Sequence, residues 1–364
     1  MVLRTETQKG KMSIKSKKVN KMNKSSVKNA ILSIGALLCA NILSGEVKPC
    51  RDIKFEPTAM RFGDIAQRGK PFSKDPTVIR HEGRYLMYYS VRSYDEAHLP
   101  KGMPKRRLKT WCGSVAESKD LVNWKRIGDI NVKAATELAE IGVAPCVKKL
   151  DGKIHMFCQG HRPGFKNALW HATSEDGINF VCKDSEPTFA PDNNWARKRR
   201  AIDAEVYRLD DKLIMMYAVR ETTGKIQMLG MASAPYGSSY DLGTWTEITT
   251  EKSFFKPDLP WEMKCIEAPT VIKHKGVWYM FYAGAYNHER QQIGLAWSTD
   301  GINYKRWSEK PVFPHGEKGS WNEWESGHPG VFQDDDGQVY LFFQGKPTLK
   351  GDYLLSCAKV KFID

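Results

Sequence analysis

Apolar and polar positions alternate along this chain in short runs that recur in five places. "DPTVIRHEGRYLMYYS" from Asp75, "APCVKKLDGKIHMFCQG" from Ala144, "DAEVYRLDDKLIMMYA" from Asp203, "APTVIKHKGVWYMFYAG" from Ala268 and "HPGVFQDDDGQVYLFFQG" from His328 share one plan. Each has a β-rich run, a tight turn of Gly and Asp chemistry, and a second run dense in aromatics, which together read as a β-hairpin. The first four keep register from opening residue to turn without a gap, and the fifth carries one extra turn residue. A second hairpin follows in most units, as in "CGSVAESKDLVNWKRI", "LWHATSEDGINFVC" and "IGLAWSTDGINYKRW", with the variant "MLGMASAPYGSSYDLGTWTEI" in the third. Two hairpins make four strands. Five such units, spaced by about 55–70 residues, predict an all-β chain folded as a five-bladed β-propeller of four-stranded antiparallel blades. A β-sandwich would show regular strand spacing without a unit that returns five times in register.

The last unit stops after its third strand, "YLLSCAKVKF", so the segment from Cys50 to Ile65 is expected to complete that blade. The chain then divides into a leader (1–46), an N-terminal segment closing the last blade (47–70) and the propeller (71–364). With 364 residues, 41% hydrophobic and 27% charged, and with 11 Trp and 14 Tyr, a coiled coil or a collagen-like fibre is excluded. The net charge of +14 invites a nucleic-acid reading, yet residues 1–50 carry +8 of it. That basic start runs into the apolar stretch Ala30–Ser44, the pattern of a secretory signal peptide and shorter than the roughly 20 residues of a spanning helix. Export to the periplasm or the extracellular space follows, with no stable membrane insertion once the signal is removed. Seven cysteines lie beyond the signal without a C-x-x-C pair, and an odd count fits buried thiols at least as well as disulfides. The oligomeric state is not legible.

In a propeller the first strand of each blade lines the axis, so the opening residues converge at one mouth of the channel, and the loops between strands 2 and 3 border the same mouth. The opening positions are Asp75, Ala144, Asp203, Ala268 and His328, with Glu267 directly before Ala268. Two blades carry Ala where two others carry Asp, so the framework itself needs no carboxylate there. Crowded acids raise one another's pKa. One group that donates a proton beside another that accepts one is the requirement of glycoside hydrolysis.

"PFSKDPTVIRHEGRYLMYYSV", "IDAEVYRLDDKLIMMYAVRE" and "IEAPTVIKHKGVWYMFYAGAYN" resemble the blade-opening motifs of the five-bladed propeller glycoside hydrolases, family 43 and its relatives, over roughly residues 70–345. "SKDPTVIR" and the Ser-x-Asp-Gly hairpins look most like family 117, which includes the 3,6-anhydro-L-galactosidases that trim agar oligosaccharides. The resemblance implies that Asp75 is the general base, Asp203 the pKa modulator and substrate orienter, and Glu267 the acid of an inverting reaction. It implies a terminal bond of an algal galactan oligosaccharide as the target, with an α-L-arabinofuranosidase of the family 43 type as the runner-up. Agar-active family 117 enzymes carry a histidine directly before this Glu. Here that position is Ile266, which leaves Glu267 to act as the acid itself.

The mouth-bordering loops and strand ends add candidates for substrate binding: Arg92, His161, Arg162, Arg220, His288 and Gln344, joined by His328 at the axis. Cations and amides there suit sugar hydroxyls, a carboxylate or a sulfate. The "DDDG" turn lacks the rest of a calcium-loop spacing, and no metal or cofactor is expected. The basic clusters "KGMPKRRLK" (101–109) and "RKRR" (197–200) sit in no nucleic-acid motif, so they are expected to attract an anionic, algal oligosaccharide rather than a nucleic acid. A non-catalytic carbohydrate-binding propeller would repeat similar pockets from blade to blade. The unequal opening residues favour one catalytic centre.

Overall fold

The computed structural model describes residues 47–134, 140–162 and 165–364. The expected leader and signal peptide, and the side chain of Arg162, lie outside the described residues.

A first strand, β1 (Asp52–Pro57), precedes five small sheets. The first blade holds β2 (Lys74–His81), β3 (Arg84–Val91), β4 (Cys112–Ser118) and β5 (Lys125–Asp129). A short strand β6 (Asn131–Ala134) leads to the second, of β7 (Glu140–Leu150), β8 (Lys153–Arg162), β9 (Phe165–Ser174) and β10 (Asn179–Cys182). The third has β11 (Ile202–Leu209), β12 (Lys212–Arg220), β13 (Gln227–Pro235) and β14 (Thr246–Glu247), and the fourth β15 (Ile266–His274), β16 (Val277–Gly284), β17 (Gln292–Ser298) and β18 (Lys305–Arg306). The fifth has β19 (Glu325–Gln333), β20 (Val339–Lys346) and β21 (Leu354–Ile363), and β1 pairs antiparallel with β21 as its outer strand. β6 pairs parallel with β10, which gives the second blade a fifth strand.

The inner strands read as continuous apolar runs because a blade buries both faces. Along β3, Leu86 and Tyr88 pack against Ile154, Met156 and Trp170 of the second blade, while Met87 and Tyr89 pack against Phe332 and Phe342 of the fifth. Period-two alternation therefore separates two cores instead of core from solvent. The same division recurs along β12, where Met215 and Tyr217 face the second blade and Met216 and Ala218 face the fourth. The fourth and fifth blades meet through Phe281, Leu295, Leu341 and Phe343. Each cluster joins two successive blades, and the last joins the fifth to the first, closing the ring. At about 1.5–3 kcal/mol for each fully buried large side chain, these five cores hold the propeller.

The outer hairpins have a local cause. In "SEDGIN" and "STDGIN", Asp176 and Asp300 accept backbone N–H bonds from residues 178 and 179 and from 302 and 303 at 2.8–2.9 Å. These are Asx turns, and a glycine with positive φ follows each Asp (Gly177 and Gly301).

One irregularity aims the site. Each first strand has a register break near its start, between Lys74 and Thr77, Val143 and Cys146, Ile202 and Glu205, Glu267 and Thr270, and Gly327 and Gly330. At every break the opening residue adopts a left-handed backbone: Asp75 (φ 55°), Ala144 (45°), Asp203 (50°), Ala268 (48°) and His328 (42°). Five bulges with non-glycine residues at positive φ are costly, of order 1–3 kcal/mol each. Neighbouring blades hold them: the turned N–H of Ala144 donates to Ser90 Oγ at 2.8 Å and that of Asp75 to Gln344 Oε1 at 3.1 Å.

Candidate active site

The five bulges line a channel with a cavity of only about 40 Å³, bordered by Asp75, Ala144, Asp203, Ala268 and His328 and the two residues after each. That admits a water molecule but not a sugar, so any glycan lies across the mouth.

At the mouth His328 is buried between two carboxylates. Its Nδ1 lies 2.9 Å from Asp75 Oδ1 and its Nε2 lies 2.9 Å from Glu267 Oε1. Burial opposes the charge on His328, but Asp75 and Glu267 outweigh it and hold the imidazolium well above the ordinary histidine value. Burial alone would likewise raise Asp75; Lys74, whose Nζ is 4.0 Å away, and His328 hold its carboxyl far below the usual range. Glu267 is kept below its ordinary value, against burial, by the His328 charge and by Gln291 Nε2, which donates to Oε1 at 2.7 Å; Gln227 Nε2 donates to Oε2. Asp203 has the opposite fate. Burial pushes it up to about 7, with the His328 charge opposing and the charges of Glu267 and Asp75 reinforcing the rise. Its Oδ2 is buried without a hydrogen-bond partner among the described residues. Below about pH 7 the ring thus holds ionised Asp75 and Glu267, an imidazolium, and a proton on Asp203. Donor atoms of Asp203, Glu267 and His328 lie within 4.8 Å of one another, but a cation entering there would have to displace the proton that both carboxylates stabilise on His328.

Asp203 gives a sign to the pH dependence of stability. Between about pH 4 and 7 the folded chain holds a proton there that the unfolded chain has released, so stability falls as pH rises, by about 1.4 kcal/mol per unit for this group. Thermal unfolding of wild type and Asp203→Asn across that range should show this slope in the wild type alone. Parallel curves would contradict the burial argument.

A second ring surrounds the first and has no counterpart in the sequence reading. In each blade a small or aromatic residue of the third strand faces the inner aromatic or thiol of the second: Ser114 opposite Tyr89, Trp170 opposite Cys158, Gly230 opposite Tyr217, Gly294 opposite Tyr282 and Ser356 opposite Phe343. Three residues earlier stand Trp111, Asn167, Gln227, Gln291 and Tyr353. Gln227 and Gln291 grip Glu267. Tyr353 donates to the buried Glu325 at 3.0 Å and lies under Lys74, whose Nζ is 5.1 Å from its ring. Trp111 is 44% exposed beside the same lysine, at 5.9 Å. The loops ahead of the third strands differ in length, which hides this register. The small residue opposite the aromatic in blades 1, 3, 4 and 5 is the signal that would reveal it.

Of the expected substrate contacts, only His328 and Gln344 join the inner ring. Gln344 is buried between the Asp75 N–H and Glu325, to which it donates at 2.6 Å. Arg220 stands one step out, its guanidinium 5.5 Å from the Tyr286 ring and its Nε 3.4 Å from Gln227. His288 stacks on the other side chain of that pair, Tyr286, and is largely exposed. His161 borders a cavity of about 390 Å³ with Lys109, Trp111, Val143, Gln159 and Asn167. Arg92 lies over Phe72 at 4.1 Å and 3.9 Å from Asp352. The "DDDG" turn ties blades together, with Asp334 accepting from Tyr85 at 2.6 Å and Asp335 from Arg80 at 2.8 Å.

Comparison with known proteins gives one family and one fold. The family described as glycosyl hydrolases family 43 matches residues 68–348. A thermostable family-43 glycoside hydrolase is similar over 80% of this chain and 90% of its own, at 20% identity and a TM-score of 0.61. An endo-arabinase from Bacteroides thetaiotaomicron (14% identity, 85% and 98% covered, TM-score 0.59) and an α-L-arabinofuranosidase from Lactobacillus brevis (15%, 81% and 92%, 0.56) share the same fold. No curated protein matches the chain.

Proposed function

The chain belongs to glycosyl hydrolases family 43, and we propose that this glycoside hydrolase cleaves a terminal bond of an anionic algal galactan oligosaccharide by an inverting acid/base reaction. The algal reading rests on the likeness of the "SKDPTVIR" and Ser-x-Asp-Gly motifs to family 117. The mechanism rests on one observation, the imidazolium of His328 clamped between Asp75 and Glu267. The ring of His328 stands between Asp75 and Glu267, 2.9 Å from an oxygen of each, and so keeps the two carboxylates apart. An inverting pair needs about 6.5–9.5 Å, enough for a water under the sugar.

Asp75, held ionised, takes the proton of that water. The oxygen attacks the anomeric carbon from below, and the departing oxygen receives a proton from the Asp203–Glu267 pair. In the free site this proton rests on Asp203, and Glu267 takes it over as substrate fills the mouth and loosens its contact with His328. The exposed face of Trp111 and the 390 Å³ cavity beside it have the size and lining for a neighbouring sugar unit.

Leaving-group dependence tests the roles. Glu267→Gln is expected to lose about 10²–10⁴-fold on the natural oligosaccharide and far less on a dinitrophenyl glycoside, whose leaving group needs no proton. Asp203→Asn, which removes the group on which that proton rests, should show the same split between the two substrates. Equal losses for Glu267→Gln on both substrates would remove it as the donor.

An α-L-arabinofuranosidase is the second reading, favoured by the fully buried Ile266 standing where agar-active relatives place a histidine. Assay on neoagaro-, carrageenan- and arabinan-derived oligosaccharides separates the two. Release of arabinose alone would overturn the algal reading.

A further inference from the structure

The basic run 197–200 reads as a solvated cluster, yet its last member behaves differently from the rest. Arg197, Lys198 and Arg199 are exposed, whereas Arg200 is largely covered and lies within electrostatic reach of Arg220, Asp203 and Glu267. Its Nη1 is buried and has no hydrogen-bond partner among the described residues. Arg220, at the end of β12, is half-buried, and among the described residues its side chain makes the long contact to Gln227 and the approach to the Tyr286 ring given above. Burial and the nearby Arg220 both work against the charge on Arg200, while Asp203 and Glu267 support it.

Neither acid is free to pair with both guanidiniums. Asp203 titrates at about 7, so it is only partly ionised at neutral pH, and the charge of Glu267 is shared with His328. Two guanidiniums, one with a buried nitrogen that has no hydrogen-bond partner among the described residues, therefore stand beside acids that offset their charge only in part. Leaving a charged group buried and unpaired is costly, and a pair of guanidinium forks is the arrangement that takes an oxyanion by parallel N–H bonds.

We propose that Arg200 and Arg220 form an anion subsite beside Asp203 and Glu267, which takes a carboxylate or sulfate group on the sugar seated at the mouth. This rests on the glycoside hydrolase reading for the sugar, but not for the anion. The subsite would select substituted sugars over neutral ones at the point of cleavage, and Gln227, touched by Arg220 and bonded to Glu267, links its occupancy to the acid.

The test reads binding without turnover. Calorimetric titration of the full chain at low ionic strength with sodium sulfate, methyl glucuronide and methyl glucoside, against a chloride-matched control, separates the sulfate and carboxylate sources from simple sugar binding. Saturable binding of sulfate or glucuronide, at least tenfold tighter than glucoside, is expected in the wild type. It should fall at least tenfold in Arg200→Gln and in Arg220→Gln, and recover in part in Arg200→Lys, with circular dichroism confirming the fold of each. If a Gln variant fails to fold, its Lys counterpart carries the comparison, because loss of the fork alone should weaken binding. Sulfate and glucuronide binding no better than glucoside, or unchanged in the variants, would overturn the inference. Anion binding by a chain that cleaves no glycan would overturn the hydrolase assignment alone, and cleavage of neutral oligosaccharides with no anion binding would overturn the subsite alone.

Discussion

Asp75→Asn should leave a folded protein whose kcat is lower by about 10³–10⁴, the upper range for removal of a general base. The substitution is nearly isosteric, and its backbone is compatible. Residue 75 sits at φ 55°, and Asn, like Asp, tolerates the left-handed region. The Asp75 N–H keeps Gln344 as its acceptor. What is lost is the charge that accepts the proton of water and that supports His328 from its Nδ1 side. With one carboxylate gone the imidazolium keeps only Glu267, so its pKa should fall along with the rate. KM should change little, because Asp75 faces water rather than sugar in the inverting geometry. Steady-state kinetics on the best oligosaccharide, with thermal unfolding as the fold control, checks this. Retention of more than about a tenth of kcat would remove Asp75 from the reaction.

His328→Leu should have the largest effect on stability, a loss of about 3–5 kcal/mol, because it strands two buried carboxylates that the imidazolium had compensated. The sign of its pH dependence follows from the shifts. The folded pKa of His328 is raised, so its contribution is full below about pH 6.5 and is lost as pH climbs through the raised value. Those of Asp75 and Glu267 are depressed, so their contribution is present above about pH 4 and is lost as pH falls through the lower values. The difference between wild type and variant should therefore be largest near pH 5–6. Denaturant unfolding at pH 3, 5.5 and 9 measures it. A difference below about 1 kcal/mol at pH 5.5 would mean that the contacts carry no net charge pairing.

The propeller was legible because its unit is long and returns in register. Once "DPTV", "DAEV", "APTV" and "HPGV" are aligned, axial placement brings Asp75, Asp203, Glu267 and His328 to one mouth. The charge state was not legible. The same pattern that assigns Glu267 the acid's place cannot show that His328 reaches both Asp75 and Glu267, or that burial raises Asp203 enough to hold the resting proton. Gln227, Gln291 and Trp111 were hidden for another reason: they lie just after loops of unequal length, where no hydrophobic period marks position. Lys74, buried beside Trp111 and Tyr353, is a charge next to Asp75 that the repeat pattern does not mark. β6 escaped because a four-residue strand running parallel to β10 belongs to no repeat.

The central claim is that His328 is an imidazolium held between two ionised carboxylates. Nitrogen-15 NMR of histidine-labelled protein tests it most directly, with the His328 signals among nine histidines assigned by their absence from His328→Leu. Both ring nitrogens should carry protons at pH 7.5, well above the ordinary histidine value of about 6.5, and the two signals should shift on Asp75→Asn. A single-proton, neutral imidazole at pH 7.5 would contradict the charge arrangement on which the proposed roles of Asp75, Asp203 and Glu267 depend.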